Sequence, residues 1–91
     1  MNLEVEIYGV SPAITILHKV QLKLPDKADL KVLLAVLKAG IPELSGTVIN
    51  SADELSEGYT LNIDGQFFSR GMNKKIAGGE HIVLLALASG G

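Results

Sequence analysis

The 91-residue sequence contains no cysteine, no tryptophan and only four aromatic residues. Without cysteine the chain has no disulfide, no thiol nucleophile and no cysteine-containing zinc site. The aromatic side chains, which offer few platforms for stacking nucleic-acid bases, are Tyr8, Tyr59, Phe67 and Phe68. Any sulfur chemistry in which this chain takes part therefore has to use a group other than a thiol side chain.

An excess of positive charge and long apolar runs are also missing. Eight Lys and Arg stand against ten Asp and Glu, a formal net charge of −2, so no basic stripe is available for nucleic acid. No uninterrupted apolar run approaches the roughly 18 residues that cross a membrane, and the acidic, alternating N-terminus does not resemble a signal peptide. With 47% hydrophobic residues, we expect one soluble globular domain in the cytoplasm, with neither nucleic acid nor membrane as partner.

Alternating apolar and polar residues predict two strands in the N-terminal third of the chain. In the first, Leu3, Val5 and Ile7 share one face while polar residues occupy the other. A second alternation covers residues 15–24 and follows a short loop that contains glycine and proline. Because the two runs are so close in sequence, they predict a hairpin.

A leucine stripe predicts a helix over residues 30–39. Four leucines at helical spacing form the stripe: Leu30, Leu33, Leu34 and Leu37. Asp29 is a suitable N-cap, Gly40 fits the left-handed position that closes a helix, and Pro42 prevents the helix from resuming. We expect the leucine stripe to pack in the core, because so short a helix depends on tertiary packing.

Residues 43–58 carry the weakest pattern in the chain. Ser51 and Glu54 have the spacing of a capping box, which favours a single helical turn that Gly58 would end. The remainder of the segment is predicted to be loop.

Three further strands are predicted in the C-terminal third. Residues 59–63 alternate and run into Asp64-Gly65, a strong signal for a tight hairpin turn before a short strand over residues 66–68. A second glycine turn, at residues 78–79, precedes a final strand that is apolar on both faces. A strand of this kind needs neighbours on both sides, so we expect it at the centre of a mixed sheet, beside and parallel to the first strand.

One helix covers only one face of such a sheet. The opposite face of the last strand is then left with Val83, Leu85 and Leu87, an apolar patch of the kind that monomers usually avoid. We expect this patch to bind a partner.

The sequence offers no internal active site. It has no phosphate-binding loop and no dinucleotide fingerprint, its only histidines, His18 and His81, are far apart, and its serines have no adjacent base. What is left is the terminal pair Gly90-Gly91, whose missing side chains allow passage through a narrow channel. A frayed terminus is the simpler interpretation of this pair alone.

Four short motifs follow one another along the chain. They are LPDKADL at residues 24–30, LNIDG at residues 61–65, IAGGEHI at residues 76–82 and ASGG at residues 88–91. In this order, leading in turn into the helix, the hairpin, the last strand and the tail, they resemble the ubiquitin-like sulfur carriers. The small subunit of molybdopterin synthase is the most similar member of that family, and the thiamine-pathway carrier is next.

The resemblance implies an α+β fold of the β-grasp type, with a mixed four- to five-stranded sheet and one main helix packed on one face. Residues 1–88 would form this domain, and residues 89–91 a flexible tail. In the family, a ubiquitin-activating-type enzyme uses ATP to adenylate the C-terminal glycine carboxylate, which is then converted to a thiocarboxylate. Here that group is on Gly91, and Gly90 lets it enter the active sites of its partners. The chain itself would bind no cofactor and no metal.

Two partners are implied by the same resemblance, the adenylating enzyme and the large subunit of molybdopterin synthase. We expect both to dock on the exposed face of the last strand and on the residues next to it. The predicted contact residues are Val83, Leu85, Leu87, Ala88, Ser89 and Phe68. The sulfur on Gly91 would then serve synthesis of a molybdenum or tungsten pterin cofactor.

Three alternatives stay open at this stage. The activated Gly91 would form an isopeptide bond with lysines of other proteins if the chain is a protein modifier, and would supply thiazole synthesis if it is a thiamine-pathway carrier. The third alternative is a β-grasp interaction domain in which the Gly-Gly is incidental.

Overall fold

The computed structural model describes residues 1–69 and 73–87. The predicted tail, with Ser89, Gly90 and Gly91, lies outside these described residues, as do Ala88 and the predicted boundary between domain and tail. The elements in chain order are β1 (Asn2–Tyr8), β2 (Lys19–Lys23), α1 (Leu30–Gly40), a short 3₁₀ helix (Pro42–Leu44), β3 (Tyr59–Ile63), β4 (Gln66–Phe68) and β5 (Ile82–Ala86).

The five strands form one mixed sheet in the order β2-β1-β5-β3-β4. β5 lies at its centre, parallel to β1 and antiparallel to β3, as predicted for a strand that is apolar on both faces. β1 pairs with β2, and β3 with β4, as antiparallel hairpins. The predicted α+β class, with a mixed sheet and one main helix, is confirmed.

α1 packs its leucine stripe on one face of the sheet. Its four stripe leucines have no exposed surface, and they meet the inward-facing residues of three strands. These residues, all 5% exposed or less, are Leu3, Val5, Ile7, Leu61, Ile63, Ile82 and Leu84. The core therefore lies on the α1 side of the sheet, where buried residues of the connecting segments, among them Leu44, Val48 and Ile49, complete it. The opposite face of the sheet is left uncovered by the helix.

The N-terminus of α1 is built as predicted, whereas its C-terminus is not. The Asp29 carboxylate accepts a hydrogen bond from the Val32 N–H at 3.0 Å. Gly40 is the last residue of the helix and does not adopt a left-handed conformation, so the prediction that it closes the helix is wrong. Ile41 ends α1 with φ −131°, and its N–H donates to the Leu37 carbonyl. The cause is the next residue, because Pro42 excludes the helical conformation from the residue before it.

β2 begins later than predicted. Instead of pairing from residue 15, the chain makes a turn in which the Ser11 carbonyl accepts from the N–H groups of Ile14 and Thr15. The Thr15 hydroxyl then accepts from the Leu17 N–H at 3.2 Å. These local hydrogen bonds satisfy backbone groups that a longer strand would have paired, so the ladder starts only at Lys19.

Residues 45–58 form an ordered irregular segment rather than a loop with a helical turn. Val48 and Ile49 are fully buried, and Ile49 makes single bridges to Ser45 and Leu55. The capping-box interpretation of Ser51 and Glu54 is wrong, because the side chain that accepts from the Glu54 N–H is that of Asn50, at 3.0 Å.

Within residues 1–69 and 73–87, no helix is long and apolar enough to cross a membrane.

Candidate functional site

The uncovered face of β5 carries the residues predicted to meet a partner. Ile82 and Leu84 point under α1 and are fully buried, whereas Val83 and Leu85 alternate to the other face and are half-buried. Leu87, the residue after β5 with the same parity, is 48% exposed. The predicted alternation is therefore confirmed, and the role of these residues in partner binding stays a prediction.

Two exposed aromatic residues extend this surface on neighbouring strands. Tyr8 at the end of β1 pairs with Leu85 and is 74% exposed. On the other side of β5, Asn62 pairs with both Val83 and Phe67, and Phe67 is 64% exposed. Paired residues share a face of a sheet, so these side chains form one surface. We call it the apolar patch, formed by Tyr8, Phe67, Val83, Leu85 and Leu87.

Phe68, which was predicted to contact partners, lies on the opposite face of the sheet. It pairs with Leu61, which is fully buried beneath α1, and it packs against the edge of the core. The Lys74 ammonium lies 5.6 Å from the centre of its ring, within range of a cation–π interaction. Phe68 is thus mainly a core residue, and Phe67 is the aromatic residue of β4 that belongs to the apolar patch.

The parity of the two phenylalanines is set by the hairpin turn between β3 and β4. Asp64 and Gly65 occupy the turn with φ values of 51° and 92°, the left-handed pair of a two-residue hairpin loop. This turn pairs Ile63 with Gln66, so Phe67 falls opposite Asn62 and not opposite an inward-facing residue. Counting outward from Asp64-Gly65 was the signal in the sequence that would have identified Phe67.

Charged and polar side chains border the apolar patch on the β1–β2 side. The Gln21 amide donates to the Glu4 carboxylate at 2.8 Å, and the Lys19 ammonium lies 3.9 Å from the same group. His81 Nε2 and Glu6 Oε1 are 3.0 Å apart, and both side chains are about half exposed or more. This border limits the apolar surface to β1, β5 and the β3–β4 hairpin.

A hydrogen-bonded pair of hydroxyls, one buried and one on an exposed residue, lies next to Leu85. Thr60, its partner in β3, is only 1% exposed, and its hydroxyl oxygen accepts a hydrogen bond from the Ser69 hydroxyl at 2.8 Å. A buried hydroxyl that has a partner is not costly. We therefore assign this pair to holding the chain after β4 against β3.

The chain is held firmly at the point where the predicted tail begins. Tyr59 pairs with Ala86, and one residue later the Leu87 N–H donates to the Gly58 carbonyl at 2.8 Å. An open cleft of about 640 Å³ lies beside Leu87, and its wall includes Lys31 and Glu57. Leu87 therefore lies at an anchored strand end that borders both the apolar patch and this cleft.

The turn before β5 is fixed by a carboxylate. Glu80 accepts from the N–H groups of Ala77 at 2.7 Å and Gly78 at 2.6 Å. Burial alone would raise the pKa of Glu80, but hydrogen bonds from the backbone N–H groups of Ala77, Glu80 itself and Gly78 outweigh it and lower the pKa. The charged form of Glu80 thus helps to hold the entry to the central strand.

The part of the chain that the structure describes contains no group of three His, Asp or Glu side chains placed to hold a metal ion. The charged pairs on the surface, such as His81 with Glu6, have no third ligand beside them in these residues.

The sequence matches no protein-family model and no curated protein. Its fold, however, is similar to solved structures of small archaeal proteins. A crystal structure of SAMP1 from Haloferax volcanii superposes with a TM-score of 0.82 at 19% identity, covering 100% of both chains. A crystal structure of small archaeal modifier protein 1 from H. volcanii gives 0.78 at 16% identity, covering 96% of this chain and 98% of the other.

A third similar structure is a Pyrococcus furiosus protein described as subunit 1 of a molybdopterin converting factor. It superposes with a TM-score of 0.68 at 11% identity, covering 97% of this chain and 99% of that one. At these identities the likeness concerns the fold alone. The chain has the ubiquitin-like β-grasp fold.

Proposed function

We propose that this protein is a ubiquitin-like sulfur carrier whose Gly91 carboxylate is adenylated and then converted to a thiocarboxylate. The observation that carries the proposal is the position of β5. The central strand of the sheet leads directly into residues 88–91 and borders an uncovered apolar patch. A reactive group on that tail would be attached to a strand fixed in the sheet and would lie near a surface on which a partner could dock.

The chemistry requires an activating partner because a carboxylate is a poor electrophile. One oxygen of the Gly91 carboxylate attacks the α-phosphorus of ATP, pyrophosphate leaves, and the acyl adenylate that results carries a good leaving group. Hydrosulfide or an equivalent sulfur nucleophile then displaces AMP to leave the thiocarboxylate. Gly90 and Gly91 have no side chains to obstruct a narrow active site.

The apolar patch supplies the surface on which the adenylating enzyme and the acceptor enzyme dock in turn. Aromatic anchors contribute strongly to protein interfaces, and Tyr8 and Phe67 present two on either side of β5. We include Ala88 and Ser89, which follow Leu87 in the sequence, among the proposed contact residues. One patch used by both partners means that sulfur loading and sulfur delivery are mutually exclusive events.

The acceptor that we propose is the large subunit of a molybdopterin synthase, in the cytoplasm. The fold shared with the P. furiosus protein described as a molybdopterin converting factor subunit favours this pathway over thiazole synthesis. A purified acceptor distinguishes the two, because only the correct one consumes the thiocarboxylate.

Intact mass measurement tests the proposal directly. After incubation with an adenylating enzyme, ATP and sulfide, we expect the mass to rise by the exchange of one oxygen for one sulfur. A chain extended by one alanine beyond Gly91 is the matched control, since its folded domain is unchanged and the glycine carboxylate is blocked. Equal mass shifts in both chains, or none in either, would contradict the proposal.

A second candidate function, protein modification, is favoured by the two structures of small archaeal modifier protein 1, which superpose better than the converting-factor subunit. In that case a lysine amine displaces AMP and an isopeptide bond forms at Gly91. The products would be covalent conjugates that survive denaturation and are absent from the alanine-extended chain. If neither conjugates nor thiocarboxylate form, the chain is an interaction domain with an incidental Gly-Gly.

A further inference from the structure

The Lys38 side chain reaches from α1 into the irregular segment of residues 45–58. Its ammonium lies 2.6 Å from Asp53 Oδ1 and donates to the Asn50 carbonyl at 3.2 Å. The side chains of Lys38 and Asp53 are 23% and 30% exposed, so the pair is largely shielded from water. Partial burial makes it stronger than an ion pair on the open surface.

The turn that Lys38 contacts contains a residue in the left-handed conformation. Asp53 has φ 59°, in the left-handed region that a residue with a Cβ seldom adopts. The Asn50 side chain accepts from the N–H groups of Ala52 and Glu54, at 2.9 and 3.0 Å. The Lys38 ammonium contacts the Asn50 carbonyl and the Asp53 carboxylate and so joins the first and fourth residues of this turn.

A continuous path of contacts joins this turn to the end of β5. Ile49 bridges to Leu55, and the Ser56 N–H donates to the Val48 carbonyl at 2.8 Å. Two residues after Ser56, the Gly58 carbonyl accepts from the Leu87 N–H. The segment that Lys38 contacts is therefore the same segment that holds Leu87, at the end of the central strand.

We propose that Lys38 is a positioning residue for the tail: by clamping the turn at Asn50 and Asp53 it fixes residues 54–58 against Leu87 and sets the direction from which Gly91 enters a partner. The inference depends on the proposed activation of Gly91. Lys38 lies outside the apolar patch, so it acts on how the tail is presented and leaves docking unchanged.

Amide hydrogen exchange tests the clamp without any partner. Lys38→Met keeps helix propensity but removes the partly buried ion pair with Asp53. We therefore expect the Leu87 amide to exchange about fivefold faster in this variant. The core amides of Leu34 and Leu84 should keep their rates. Asp53→Asn is the second variant, because asparagine tolerates the left-handed conformation and removes only the charge.

Two further variants separate the clamp from general destabilisation. Lys38→Arg retains the cation and should restore Leu87 protection to within about twofold, while Lys23→Met removes an exposed lysine of β2 and should have no effect on Leu87. If Leu87 protection is unchanged in both Lys38→Met and Asp53→Asn, or if all amides lose protection in parallel, the inference is overturned.

The kinetics of Gly91 adenylation supply the functional readout. By ATP–pyrophosphate exchange, Lys38→Met should lower kcat about threefold to fivefold with KM within twofold, since presentation of the reacting group is impaired and docking is not. A rise in KM at constant kcat would contradict the inference. If the wild-type chain is not adenylated at all, the proposed function fails, and the exchange rate of Leu87 still decides whether Lys38 clamps the strand end.

Discussion

At the scale of single residues, Glu80 shows how one carboxylate controls the approach to the central strand. Its two carboxylate oxygens accept from the Ala77 and Gly78 N–H groups, and its folded-state pKa lies below the ordinary value of 4.5. A group with a lowered pKa stabilises the folded state above its unfolded pKa, and this contribution is lost as the pH falls through the folded-state pKa. Glu80 therefore stabilises the protein at neutral pH and ceases to do so in acid.

We expect Glu80→Gln to lower the free energy of unfolding by about 1 kcal/mol at neutral pH, because the amide retains only one acceptor oxygen for two donors. The difference from wild type should begin to shrink below the ordinary Glu pKa of 4.5, where the unfolded chain takes up the proton, and should disappear once the pH has fallen through the lower folded-state pKa. Denaturant unfolding at several pH values measures this. Glu57→Gln, at an exposed position, is the control, and an equal loss in that variant would show that net charge and not the turn is responsible.

At the scale of elements, α1 ends because of Pro42 and not because of a C-capping glycine. Gly40 has the sequence position of a left-handed cap, but Pro42 forces Ile41 out of the helical region first. Ile41 is 1% exposed, and its burial stabilises the extended backbone that Pro42 requires. The glycine is thereby left inside the helix, where its flexibility only weakens the last turn.

Gly40→Ala should consequently stabilise the protein by about 0.5–1 kcal/mol. A Cβ at this position would meet Leu22 Cδ2 at 3.5 Å, an ordinary van der Waals contact. Thermal and denaturant unfolding provide the measurement. Gly65→Ala is the contrasting variant, because φ at Gly65 is 92° and alanine there should cost about 1 kcal/mol; a loss of stability in both variants would mean that Gly40 is left-handed after all.

Elements with strong local periodicity could be predicted from the sequence, and those made by distant contacts could not. The stripe from Leu30 to Leu37 and the doubly apolar β5 each carry their structure in residue spacing alone. Residues 45–58 have no such spacing. The buried side chains of Val48 and Ile49 and the contact from Lys38 of α1 hold this segment in place instead. The late start of β2 follows from hydrogen bonds to Ser11 and Thr15 that no periodicity reveals.

At the scale of the whole molecule, the strand order brings the alternating residues of separate strands together on the two faces of the sheet. One face packs against α1, and the other carries the apolar patch. Because β5 lies between β1 and β3, its outward residues acquire Tyr8 on one side and Phe67 on the other. The sequence predicted the outward half of β5 correctly, but it assigned the neighbouring aromatic to Phe68. Choosing between Phe67 and Phe68 requires the register of the β3–β4 hairpin. That register is set by the geometry of the turn and not by the pattern of hydrophobic residues.

A matched pair of substitutions separates the two phenylalanines. Phe68→Thr, which keeps β propensity, should lower the free energy of unfolding by about 2 kcal/mol, since the ring packs against the core. Phe67→Thr should change it by less than about 0.5 kcal/mol, because the ring is 64% exposed.

The same two variants should behave in the opposite way towards the adenylating enzyme. Removing an exposed aromatic anchor from an interface costs about 1.4 kcal/mol or more, so Phe67→Thr should raise KM about tenfold at unchanged kcat. Phe68→Thr, assayed well below its unfolding temperature, should leave KM near the wild-type value, as its ring faces α1. A KM increase confined to Phe68→Thr would place docking at the edge of the core and not on the apolar patch, since both chains carry the same tail.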